Sequence, residues 1–159
     1  MPETAAAHDE RPIAGHPDEA APRADAALRR LPGYALRRAS HHMMGELAQR
    51  LEEADLRIPD ATVLLLVAGR NDLTSSDIGR TLDIQRANMV PLLARIEAAG
   101  LIRRMPLDRK SLAIVLTDAG AERLVRVQAI IARFEADLMA RIPAAHRPHF
   151  VPALHALLG

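Results

Sequence analysis

Cysteine and tryptophan are absent from this chain of 159 residues, and one tyrosine and two phenylalanines are its entire aromatic content. Without a thiol there is no disulfide, no thiolate metal site and no cysteine redox switch. The opening residues, MPETAAAHDE, have neither the basic start nor the apolar centre of a secretory signal. Nowhere does the sequence reach the run of about 18 apolar residues that a membrane span needs. A cytoplasmic location without membrane contact is the expectation. A Gly-rich phosphate loop, a Cys/His cluster and a workable Ser-His-Asp spacing are all missing, so no enzymatic activity and no cofactor are expected. The histidines build no metal site either: His146 and His149 straddle Pro148, and His155 is out of helical phase with them. His42 and Glu46, four apart, are expected to form a solvent-facing ion pair.

What is present is a hydrophobic fraction of 49%, enough for one real core, with Leu, Ala, Arg and Glu favouring helices. The net charge of +1 hides an asymmetry. Residues 1–27 hold Glu3, Asp9, Glu10, Asp18, Glu19 and Asp25 against Arg11 and Arg23, a net of −4, which leaves +5 on the remainder. A basic body is compatible with a polyanionic partner without requiring one.

Residues 1–27, with Pro2, Pro12, Pro17 and Pro22 and almost no large apolar side chain, read as a disordered tail. From Leu28 the pattern changes. Leu31, Leu36, Met43, Leu47 and Leu51 recur at helical spacings, predicting a long amphipathic helix over about 33–54 whose stripe wants a partner, including a second copy of itself. A second helix is expected over about 60–68. A third, about 75–82, opens with a capping box in which Thr74 and Asp77 reach for each other's backbone. A fourth, about 85–99, is closed by Gly100.

Two apolar runs come next, Leu101 to Met105 and Leu112 to Leu116, separated by the tip Pro-Leu-Asp-Arg-Lys-Ser. They form a hairpin whose basic, exposed tip points to an outside contact. Thr117 caps a long helix over about 118–141 with Leu124, Val127, Ile130, Ile131, Phe134 and Leu138 on one stripe. Pro143 stops it, and a last helix is expected over about 146–158. Two short helices in tandem followed by a strand hairpin make a winged helix-turn-helix, so the fold class is mainly α. Residues 28–159 form one domain, with a nucleic-acid-binding part at 58–117 between candidate dimerisation helices at 31–56 and 118–158.

In a helix-turn-helix the second helix offers its N-terminal residues to the major groove of duplex DNA. Here these are Gln85, Arg86, Asn88 and Met89. Gln and Asn pair with adenine, Arg grips guanine, and Met lies against a thymine methyl. Arg95, farther along, is expected to meet phosphate or to pack. Ser75 and Ser76 offer hydroxyl and amide donors to a phosphate. Arg109 and Lys110 at the wing tip would lie along the flanking minor groove. Asp108 suits the role of holding the tip's shape.

The run RIEAAGLIRR (95–104), the tip DRK (108–110) and the restart LTDAG (116–120), in this order and spacing, resemble the MarR family of bacterial transcription regulators. The resemblance extends from about Leu31 to Leu158. It implies a homodimer on a palindromic operator, acting as a ligand-responsive repressor. It also implies a small organic anion as effector, bound between the dimer helices and the winged module. On the first helix Arg38 and His42, four apart, would be a pair able to meet its carboxylate. There are departures: Lys110 stands at the family's wing arginine and replaces a bidentate fork by a point charge. Pro91 interrupts the recognition helix, and the N-terminal tail is longer than the fold needs. The lack of cysteine argues against sensing by thiol oxidation. Two other readings stay open on the residues alone: a dimeric helical module that binds protein rather than DNA, and a small-molecule enzyme for which no acid, base or nucleophile is in place.

Overall fold

A computed structural model describes residues 26–158, so the acidic tail expected at the N-terminus lies almost wholly outside the described residues. The chain divides into two compact units, residues 1–39 and 40–159, with the first helix, α1 (Pro32–Leu51), crossing the division. In the first unit a 3-10 turn, Leu28–Arg30, precedes Pro32, whose fixed φ and missing amide suit the first position of a helix. Leu28, Leu31 and Leu36 are exposed here.

In the second unit α1 buries Leu47 and Leu51 and tightens into a 3-10 turn at Glu52–Ala54, so the regular helix ends three residues earlier than the periodicity predicts. Asp55, at φ 52°, adopts the left-handed conformation that turns the chain into α2 (Ile58–Val67). α2 is almost continuously apolar and lies in the core, burying Ala61, Val63, Leu64 and Val67. α3 (Ser75–Thr81) and α4 (Arg86–Ala98) come next, linked by Leu82 to Gln85. Asp83 takes φ 51° in this link.

The wing consists of β1 (Ile102–Pro106) and β2 (Leu112–Leu116), antiparallel, with Ile102 opposite Leu116 and Pro106 opposite Leu112. Pro106 therefore closes the ladder instead of belonging to the tip. A third, very short pairing joins Thr74 to Ala113, and the Ile114 amide donates to the Leu73 carbonyl at 2.8 Å. This stitch ties the start of α3 to the wing.

α5 (Asp118–Arg141) has the predicted bounds and buries Leu124, Val127, Ile130 and Phe134. Its junction with the wing is tightly specified. The Thr117 hydroxyl donates to the Gly100 carbonyl at 2.6 Å and accepts the Gly120 amide at 3.0 Å, while the Thr117 amide donates to the Leu101 carbonyl at 3.1 Å. A Cβ at Gly120 would fall 1.9 Å from that same Leu101 oxygen. The Leu-Thr-Asp-Ala-Gly motif is thus the chemistry of a closely packed joint. After a 3-10 turn at Ala144–His146, α6 (Arg147–His155) buries no residue at all, and is shorter at both ends than expected.

α1 and α5 are joined by charge as well as by packing. Arg141 makes a two-pronged contact to Glu46 at 2.8 and 2.9 Å. Arg50 bridges Glu46 at 2.5 Å and Asp137 at 2.8 Å, with its guanidinium 5.6 Å from the centre of the Phe134 ring. Donation from Arg141, then from Arg50, holds the Glu46 carboxyl below the ordinary carboxylate range. The expected His42–Glu46 pair does not form: Glu46 turns to two arginines, which offer planar forks where histidine offers a single donor.

Candidate nucleic-acid interface

The tandem helices are built from local signals. Thr74 has extended φ/ψ and its hydroxyl oxygen accepts the Asp77 amide at 3.3 Å. The Asp77 carboxylate in return accepts the Thr74 amide at 3.0 Å and its hydroxyl at 2.6 Å. These donors, the hydroxyl first, hold the Asp77 carboxyl below its ordinary range. The expected capping box is therefore present. Gly79 lets α4 approach α3: a Cβ there would meet the Ile84 carbonyl oxygen at 3.0 Å.

α4 begins without a side-chain cap at Gln85. Pro91, having no amide hydrogen, also leaves the Ala87 carbonyl without its usual partner one turn on. The Gln85 carbonyl accepts the Asn88 and Met89 amides at 2.9 and 3.0 Å, and the placement of the helix comes from the face that buries Met89, Leu92, Leu93 and Ile96.

Gln85, Arg86 and Asn88 are exposed, and their side chains make no hydrogen bond or ion pair among the described residues. Ser75 is half-buried and Ser76 exposed, both likewise unpartnered. Together with Arg80, Val90 and Arg104, residues Ser75, Ser76 and Arg86 line one groove of about 360 Å³. The beginnings of α3 and α4 and the first wing strand therefore present hydroxyls and guanidiniums to a common space. Arg104 is half-committed to Glu97 at 3.0 Å, and Arg80 lies 3.6 Å from Asp77. In the sequence Arg104 is part of the run RIEAAGLIRR without an assigned contact, and Arg80 carries no motif that would mark it.

At the wing tip the Asp108 carboxylate accepts the Lys110 amide at 2.7 Å, the Ser111 amide at 2.8 Å and the Ser111 hydroxyl. The hydroxyl first, then the two amides, hold its carboxyl below the usual range. Asp108 thereby spends its charge inside the tip. Arg109 and Lys110 are left exposed with no side-chain partner among the described residues.

One expected contact residue is corrected, and another, expected to meet phosphate or to pack, is found engaged within the chain. Met89 is 1% exposed and belongs to the core, its terminal methyl within 3.8 Å of a Cβ built at Gly79. An unbranched apolar side chain one turn into an uncapped helix is worth more filling the gap between α3 and α4 than facing water. Val90, the next residue, is 58% exposed and occupies the outer face instead. Arg95 is engaged within the chain: its Nη2 lies 2.5 Å from Oδ1 of Asp60, the single buried charged residue among those described. Asp60 also accepts the Arg57 amide at 3.1 Å, closing the N-terminus of α2. Arg38 and His42 both lie exposed along α1, the Arg38 guanidinium 6.0 Å from the Tyr34 ring centre. Among the described residues no group of three His, Asp or Glu is arranged to hold a metal.

The MarR family model matches residues 54–111, from the end of the first helical stretch to the wing tip. A transcriptional repressor, CouR, solved bound to a 23-mer DNA duplex, matches the fold with a TM-score of 0.78. It is 30% identical to this chain, over 85% of this chain and 97% of that one. The chain belongs to the MarR family. A second MarR-family structure, the protein from Mycobacterium tuberculosis in complex with salicylic acid, is 25% identical, with a TM-score of 0.64, over 79% of this chain and 95% of that one. Among curated relatives of this MarR-family chain, the putative transcriptional regulatory protein for the hcr operon of Thauera aromatica is 27% identical over 128 residues. That span is 79% of this chain and 77% of that protein.

Proposed function

We propose that this MarR-family chain is a transcriptional repressor that binds a palindromic operator as a homodimer and releases it when a small organic anion binds. The observation that carries the reading is the unspent chemistry of two elements. Gln85, Arg86 and Asn88 on α4, and Arg109 and Lys110 on the wing tip, project to solvent with no partner within the described chain. Neighbouring acids are meanwhile consumed, Asp108 by its own turn and Glu97 by Arg104. An uncommitted guanidinium beside two amide side chains is the donor and acceptor set that reads base edges in a major groove. Two cations on a hairpin suit phosphates and a narrow minor groove. CouR in complex with DNA supports the same reading by similarity.

The exposed apolar side chains at both ends of the described chain, Leu31 and Leu36 near one and Val151, Leu157 and Leu158 near the other, support a second copy as partner. A twofold pair would set two recognition helices about one turn of DNA, roughly 34 Å, apart. The salicylic acid complex of the mycobacterial relative supports an aromatic carboxylate as effector class. Arg38 and His42 are the proposed residues that meet the carboxylate.

The experiment is a selection of binding sites from random duplexes, followed by titration of the selected duplex at several salt concentrations. Arg86→Ala should relax the preference at one base pair of each half-site, costing about 1–3 kcal/mol there. Lys110→Ala should instead weaken every sequence alike and reduce the salt slope by about 1. Binding that ignores salt and selects no sequence would defeat the reading and favour a protein-interaction module.

A further inference from the structure

A charged carboxylate inside a core is expensive unless something specific is gained from it. Asp60 is 4% exposed, sits on the innermost helix of the module, and divides its two oxygens between two elements. Oδ2 accepts the Arg57 amide and fixes the start of α2, while Oδ1 receives Arg95 from the last turn of α4. The first half of α4 has no side-chain cap at Gln85 and is interrupted at Pro91. Hydrophobic packing of Met89, Leu92, Leu93 and Ile96 fixes the depth of the helix and the face it turns inward, while small rotations about its axis are restrained further by directional contacts. The ion pair between Arg95 and Asp60, at one side of the helix, adds such a directional restraint.

We propose that Asp60 and Arg95 are positioning residues that set the rotation of α4, and with it the aim of Gln85, Arg86 and Asn88, without touching DNA. The inference rests on the DNA-binding reading above. It separates two roles for Arg95 that the sequence leaves joined. A phosphate contact would contribute equally to all duplexes and to the salt slope. A positioning contact contributes to discrimination between sequences and leaves the slope alone.

The test uses the full chain, a selected operator and a scrambled duplex of equal length, with Asp60→Asn, Arg95→Met and the double variant, each checked for helix content. The expected result is a loss of about tenfold in the ratio of operator to scrambled affinity in each single variant. The double variant should lose no more than either single one, and all salt slopes should stay unchanged. Arg95→Gln, which keeps a donor near Asp60, is the substitute if Arg95→Met fails to fold. The proposal is overturned if Asp60→Asn keeps full discrimination, if the single losses add, or if the Arg95 variants weaken both duplexes equally with a shallower slope. Wild-type protein that selects no duplex defeats the DNA-binding reading itself, and this inference with it. Wild-type selection with unaffected variants defeats this inference alone.

Discussion

A single methyl group at position 120 would fall 1.9 Å from the Leu101 carbonyl oxygen, against backbone that cannot swing aside as a side chain would. Gly120→Ala should therefore cost about 2 kcal/mol or more, read as a lowered urea midpoint with an unchanged slope. At this same scale, sequence reading is most and least successful. Asp108 as the organiser of the wing tip is borne out by three hydrogen bonds to its carboxylate. Met89 is misplaced because its position near the start of α4 is read ahead of its helical phase; with Leu92, Leu93 and Ile96 at i+3, i+4 and i+7 it belongs to the apolar stripe that faces the core. Arg95 is left between phosphate and packing, and the sequence holds no local sign of Asp60, which is 35 positions away.

Elements are more legible than side chains, because their ends carry chemistry. Thr74 and Thr117 cap α3 and α5 through Asp77 and Gly120 amides, and α5 starts and stops where the sequence places it. Thr74→Ala should cost about 1 kcal/mol, measured by thermal or urea unfolding. The box is also acid-sensitive. The Asp77 carboxyl is held below its ordinary value in the folded protein, so its contribution is complete above the unfolded carboxylate range and fades as pH falls through the lower, folded value. The difference between wild type and Thr74→Ala should accordingly shrink on acidification, and a constant difference from neutral pH to pH of about 2 would contradict it. The stitch between Leu73–Thr74 and Ala113–Ile114 escapes sequence reading, since a pairing of two residues leaves no alternation to detect.

For the molecule as a whole, the core is complete around α2, α4 and α5, yet the ends of the described chain stay apolar and uncovered. Leu157→Glu, at a residue 67% exposed, should leave the fold intact while shifting sedimentation toward a single copy, and operator affinity should fall with it. Equal sedimentation before and after substitution would remove α6 and the C-terminal residues beyond it from the proposed pairing surface. The apolar stripe of α1 is legible in part as a surface in want of a partner, because Leu36, Met43, Leu47 and Leu51 recur at seven- and four-residue spacings and Leu36 is exposed among the described residues.

The joint at Thr117 bears on how a signal travels. Hydroxyl and amide of one threonine grip the end of the α4 turn and the start of the wing, and Gly120 presses α5 onto the same carbonyl. The hairpin and the 24-residue α5 consequently form one arm without a hinge at the shoulder. Tilting the shaft must swing the hand, and a paired spin-label distance between the two wing tips should change in step with one measured between the two α5 helices.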